Sequence, residues 1–299
     1  MDFKNVALFD PAKGIENPTQ PQKVSVDFDS EKPFSEVFDA FLNDPKVGEV
    51  RQLHIGQWFD EVAEVFNEVV DQLLENKDKL QGLETLFMAD VDQDEAEISW
   101  IEQEDMGPVL VAFPNLKHFI VKGSNGLMFT DLKHDNLETL IIQTGGLGSE
   151  TFDQVLQSSL PKLQVLEIWT GDSNYGADIE AVQVRPLLKG DLFPELRVLG
   201  LKNSEIADDI AKELADAPVL EQLHTLDVSM GIMKDEGAEY LLNSKLDHLK
   251  KLDVSSNYLS ADMIQKIAQK WPNLELISGG QKSPDEYHGE VYYYVDVSE

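Results

Sequence analysis

The chain has 299 residues, 42% of them hydrophobic, no cysteine, and 56 Asp+Glu against 24 Lys+Arg for a formal charge of −32. Disulfides and thiolate metal sites are thereby excluded, and no apolar run approaches the ~18 residues of a membrane-spanning helix. A field of this sign repels nucleic acid and anionic membranes but steers in basic proteins, so a cytoplasmic protein with no nucleic-acid or membrane partner is expected. The opening Met1-Asp2-Phe3-Lys4-Asn5 lacks the basic-then-apolar layout of a secretory signal, in keeping with that location.

Residues 1–49 show no repeat. Val24 to Phe28 alternates like a strand, and Pro11, Pro18, Pro21 and Pro33 punctuate the loops around it. Phe34, Val37, Phe38 and Phe41 fall on one face of a short helix. These residues are expected to cap the amino-terminal side of whatever follows.

From Val50 a spacing sets in. Val50, Leu53 and Ile55 are followed by Leu83, Leu86 and Met88, by Leu116, Phe119 and Val121, and by Leu137, Leu140 and Ile142. Leu163, Leu166 and Ile168 continue it, then Leu196, Leu199 and Leu201, then Leu223, Leu226 and Val228. Leu249, Leu252 and Val254 close with Asn257, and Leu274 to Ile277 is a degraded ninth copy. Successive first positions are 33, 33, 21, 26, 33, 27, 26 and 25 residues apart. The pattern is L-x-x-L-x-L-x-x-N, the first half of a leucine-rich repeat, in which a short strand turns two aliphatic side chains inward. The longer steps imply insertions.

Between the strands lie helical patterns: Glu61 to Leu74, Ile206 to Leu214, Gly237 to Leu242, and Ala261 to Trp271 behind Ser260 as N-cap. Strand, turn, helix, strand predicts parallel pairing. The expected fold is α/β, a leucine-rich-repeat solenoid or horseshoe with a parallel concave sheet and convex helices. Residues 1–49 form the amino-terminal cap, 50–278 the array of eight to nine repeats, and 279–299 a carboxyl-terminal capping tail. That tail alternates through Val291 to Val295, as a closing strand or a segment lying back on the array would.

Several segments carry a resemblance: Glu97 to Ile101, Thr144 to Gly148, Trp169-Thr170-Gly171 with Tyr175-Gly176, Leu226 to Gly231, Asp235 to Ala238 and Val297-Ser298-Glu299. Together they resemble an uncharacterised bacterial family of ribonuclease-inhibitor-like leucine-rich-repeat proteins. The resemblance implies a cytoplasmic solenoid whose relatives are similar to accessory proteins encoded beside radical and ATP-grasp enzymes. It implies no catalytic residues.

Outward strand positions in register give a row of Phe87, Ile120, Ile141 and Glu167, continuing as Gly200, Asp227 and Asp253. The adjacent row holds Ala89, Lys122, Gln143 and Trp169. A solvated surface has no packing reason to align Phe87, Ile120, Ile141 and Trp169, and such a patch marks a partner site unless the chain's own cap, insertion or tail covers it. Trp169 with Tyr175 has the character of an interface anchor, and Glu167, Asp227 and Asp253 offer an acidic lane to basic side chains. The partner expected is a protein or peptide, with a basic one favoured by charge, and a monomer is favoured over an oligomer. Two alternatives stand beside this reading. One is an acidic inhibitor of a basic protein, and the other a small-ligand or enzyme site built from the insertions around Glu97–Met106 and Gly171–Pro186.

Catalytic and cofactor motifs are lacking. Asp90-Val91-Asp92-Gln93-Asp94 opens like a calcium loop, but Glu95 and Ile101 stand where that loop needs Gly and Glu, so no metal is expected. Gly123 to Gly126 and Gly145 to Gly148 lack phosphate-loop spacing and read as turns. Among the six histidines, His54 and His118 fall on outward strand positions. No enzyme activity and no cofactor are expected.

Overall fold

The computed structural model describes residues 5–27, 29–58 and 67–299. The chain divides into two compact units, Met1–Leu140 with Ser158–Leu160, and Ile141–Gln157 with Pro161–Glu299.

In the first unit, strands β1 (Ala7–Leu8), β2 (Gln22–Val24), β3 (Gln52–Ile55), β4 (Thr85–Met88) and β5 (His118–Lys122) pair parallel in chain order. Leu53, Leu86 and Phe119 are register partners, as are Ile55, Met88 and Val121, and all six are buried. Alternation along each strand sends these side chains to one face, where helices α1 (Phe34–Leu42), α2 (Asn67–Glu75) and α3 (Gly107–Ala112) complete the repeats. Residues 1–49 thus do more than close an end: β2 is a rung hydrogen-bonded to β3. Gln72 ties α2 to α1, its Nε2 donating to Ser35 O at 3.0 Å and Asp39 Oδ1 at 2.6 Å. Of the helix expected over Glu61 to Leu74, the part before Asn67 lies outside the described residues.

Strand β6 (Thr139–Gln143) spans the division. The second unit continues with α4 (Ser149–Leu156), β7 (Val165–Gly171), α5 (Arg185–Leu188), β8 (Val198–Ser204), α6 (Ala207–Leu214), β9 (Thr225–Asp227), α7 (Asp235–Asn243), β10 (Lys251–Asp253), α8 (Ala261–Lys270) and β11 (Glu275–Ile277). Strands β7 to β11 again pair parallel in order. Leu166, Leu199, Leu226 and Leu252 are buried, and fully burying each such side chain is worth roughly 1.5–3 kcal/mol. Ser260 caps α8, its hydroxyl accepting from Met263 N at 3.1 Å. Asn257 is buried and satisfies main-chain groups where strands turn: its Oδ1 accepts from Met233 N at 3.0 Å, and its Nδ2 donates to Val228 O at 2.9 Å.

Beyond β11 an exposed antiparallel hairpin, β12 (Asp285–Tyr287) and β13 (Glu290–Tyr292), leads into a tail that runs back along the strand exits. Of the two arrangements the sequence allowed for the tail, the residues after Tyr292 take the second.

Candidate interaction surface

The outward face of β7 to β10 is built by register. Glu167, Gly200, Asp227 and Asp253 are successive partners along one row, and Trp169 faces Lys202 in the next. Trp169 Nε1 donates to Glu167 Oε1 at 2.8 Å, which fixes the plane of the half-buried indole. Lys202 Nζ lies 3.4 Å from both Glu167 Oε1 and Asp227 Oδ2, and 5.6 Å from the centre of the Trp169 ring. Gly200 makes this possible: a Cβ there would come 3.1 Å from Glu167 Cγ, on the carboxylate's own stem. Burial by itself lowers the Lys202 pKa, but the two carboxylates outweigh it and hold the ammonium above its ordinary range. Asp227 and Asp253 each accept, through Oδ1, from the amide two residues on, Ser229 and Ser255, at 3.0 Å. The acidic lane expected from sequence is therefore present as a row, with a lysine of the same chain already seated between two of its acids.

The outward face of β3 to β5 differs. Phe87 and Ile120 are register partners, as expected, but they are 7% and 1% exposed, so they do not form an open apolar patch. The reason is crowding along the row. The Phe87 ring lies 5.6 Å from the buried imidazole of His54, its partner on β3, while Lys122 reaches over from β5 to donate to the carbonyl of Val91. Asp90 Oδ2 sits 2.9 Å from His54 Nδ1 and 3.9 Å from Lys23 Nζ. Burial raises the pKa of Asp90, yet His54, Lys23 and Lys122 together leave it lowered. Lys122 itself is lowered, because burial exceeds the attraction of Asp90 and Asp92. His118 is also lowered by burial, and its Nδ1 is 3.1 Å from Thr139 Oγ1. The segment that opens like a calcium loop is thus part of an internal charge cluster. Among the described residues no group of three or more His, Cys, Asp or Glu is placed to hold a metal ion.

Neither a known family model nor a curated protein matches the sequence. A solved structure from Bacteroides fragilis is similar over 92% of this chain and 76% of its own, at 33% identity and a TM-score of 0.81. The chain belongs to the family of that Bacteroides protein. An internalin from Listeria monocytogenes matches 82% of this chain and 70% of its own at 15% identity, with a TM-score of 0.37. A leucine-rich-repeat protein from Leptospira interrogans matches 90% and 99% at 13% identity, with a TM-score of 0.21. Superpositions this loose add nothing to the repeat pattern seen directly in this member of the Bacteroides family.

Two further residues of the expected set fall in the second unit. Ile141, on β6, is half-buried, and Tyr175 is half-buried in the loop after β7. The Tyr175 hydroxyl bonds the carboxylate of Glu299, so in this family member the tail engages the tyrosine. Gly171, at φ +79°, and Gly146 let the loops before and after β7 come into main-chain contact, where a Cβ on Gly146 would strike the Tyr175 carbonyl. They are turns, as expected, and they also position Tyr175. Lys202 and Asn203 escaped the sequence reading. Lys202 was within reach, standing two residues beyond Gly200 on the same outward side. Asn203 leaves no local signal, because its partners are Thr144 and Val297.

No described helix is long and apolar enough to cross a membrane.

Proposed function

We propose that the chain is a non-catalytic scaffold that binds a protein or peptide through the outward face of β7 to β10, with Trp169 at the centre and Glu167, Asp227 and Asp253 beside it. The observation that carries this reading is the preset indole. A half-exposed tryptophan is fixed by a carboxylate and a lysine on neighbouring strands, although the hydrophobic core has no use for it. Ordering such a ring before the partner arrives lowers the entropic cost of association. The row of acids and the charge of −32 favour a basic partner. With no cysteine in the chain, a reducing cytoplasmic setting belongs to the same reading. So does the ribonuclease-inhibitor-like kind of repeat, which the quoted segments support. Phe87 and Ile120 are left out of the docking face because they are covered.

The test is a comparison of wild type and Trp169→Ala as baits in cells of the source organism. A partner is expected to be retained by wild type and to bind the variant about 2 kcal/mol or more weaker, at unchanged circular dichroism and Tm. Equal affinity for both baits removes this face from consideration. An acidic inhibitor of a basic protein is the second reading, and for it the affinity falls steeply between low and physiological salt.

A further inference from the structure

The tail contacts have the form of a peptide complex made within one chain. Asn203, 0% exposed, closes on Val297 from both sides: its Oδ1 accepts from Val297 N at 2.9 Å and its Nδ2 donates to Val297 O. Tyr258 treats Tyr294 in the same way, its hydroxyl accepting from Tyr294 N at 2.9 Å and donating to Tyr294 O at 3.1 Å. Between them, Asp296 N donates to Met230 O at 2.9 Å. Three consecutive strand exits, after β8, β9 and β10, therefore read the main chain of an extended segment, and they do so without reference to its side chains. Selectivity is added at two places. The Tyr293 ring packs edge-on to Tyr258, 4.9 Å between centres, with Lys234 Nζ 4.8 Å above it. Asp296 pairs with Lys282 at 2.9 Å. In a chain of charge −32, a lane carrying Lys234 and Lys282 is chemically distinct from the acidic row on the strand face.

What holds the tail is slight. Of Tyr293 to Glu299, Val295 alone is buried, and the remaining contacts are polar and partly wet. Hydrogen bonds of this kind reform with water on release, so this is a segment that opens locally while the repeats stay folded. Asn203 holds its own position independently of the tail. Its backbone sits at φ +51°, a conformation asparagine tolerates better than most residues, and its Nδ2 also reaches Thr144 O at 3.3 Å.

We propose that the exits of β8, β9 and β10 form a peptide-binding groove, and that residues 293–299 are its resident, exchangeable occupant. The ligand class it takes in trans is an extended partner segment of the pattern aromatic, any residue, aliphatic, acidic, as in Tyr293-Tyr294-Val295-Asp296. The tethered tail competes at an effective concentration of about millimolar, so ligands of micromolar affinity enter only after the tail lifts.

The experiment uses the full chain and a fluorescein-labelled heptapeptide of sequence Tyr293–Glu299, read by fluorescence anisotropy. Replacing Val295→Asp and Val297→Pro removes the buried anchor and the amide that Asn203 holds, and leaves every groove residue in place. This variant is expected to bind the peptide at least tenfold tighter than wild type, and adding Asn203→Ala is expected to abolish the gain. A heptapeptide with Asp296 replaced by lysine should bind more weakly to the released variant. Equal binding by wild type and the released variant, no binding by either, or binding indifferent to Asn203→Ala overturns the proposal. Transfer of the tail to a second copy would appear as a wild-type dimer at high concentration that Val297→Pro dissolves, and such a dimer counts for the groove. Amide exchange on the wild-type chain gives a check that needs no variant. Asp296 and Val297 should exchange at least a hundredfold faster than Leu252, and equal protection would show that the tail does not detach.

Discussion

Lys122 on β5 and Lys202 on β8 stand at similar places, each outward on a strand and partly buried, yet their pKa values move in opposite directions. The difference lies in what the neighbouring strands supply. Around Lys202, Glu167 on β7 and Asp227 on β9 sit 3.4 Å away on either side, and Gly200 beneath gives them room. Around Lys122 the flanking row is Phe87 and Ile120, and its nearest recorded acceptor is the carbonyl of Val91. One repeat geometry therefore builds a covered, poorly solvated face in the first unit and a charged, half-open one in the second. Repeats set where a side chain stands; its neighbours in register decide whether it meets water, an apolar ring or a counter-charge.

The comparison can be broken most forcefully in the first unit. Ile120→Glu puts a carboxylate into a covered row and should cost about 4 kcal/mol or more in a denaturant titration, whereas Glu167→Ile on the half-open face should cost less than about 1 kcal/mol. Similar costs for the two would mean that the faces do not differ in solvation. Lys202→Met comes next, at about 2 kcal/mol, because Glu167 and Asp227 are left facing one another. Its pH dependence has a definite sign. The folded-state pKa lies above the ordinary 10.5, so the advantage of wild type over this variant is full below pH 10.5 and is lost as pH rises through the raised value. The smallest effect is expected for Lys122→Met, within about 1 kcal/mol of wild type at neutral pH, since removing a poorly solvated ammonium offsets the lost bond to Val91. Here the sign reverses. Between its lowered pKa and 10.5 the unfolded chain keeps a proton that the folded chain has shed, so wild type gains on the variant as pH climbs. Difference titrations that ran in parallel for the two lysines would erase the contrast.

The repeat frame was legible because it is a short-range pattern. Each triplet from Val50-Leu53-Ile55 to Leu249-Leu252-Val254 is buried, and Asn257 serves the strand exit as its spacing implies. The row Glu167, Asp227, Asp253 was legible for the same reason, being a register consequence of those triplets. Exposure was not. Whether Phe87 meets water depends on His54, 33 positions away, and on Ile120, 33 positions the other way, and alternation along one strand carries no information about either. The tail groove was illegible for a stronger version of this reason, since Asn203 and Val297 are 94 residues apart with no periodicity joining them.

That clasp also alters how the second unit would bear mechanical load. A linear array pulled from its last residue ordinarily peels from the end, one repeat after another, because each repeat is held by its neighbours alone. Here a pull at Glu299 is delivered first to Tyr175 and Asn203, several rungs inside, and the final repeats stay slack until that grip yields. Force traces should then begin with a small early event, the strap tearing free, before the stepwise rupture of the repeats themselves.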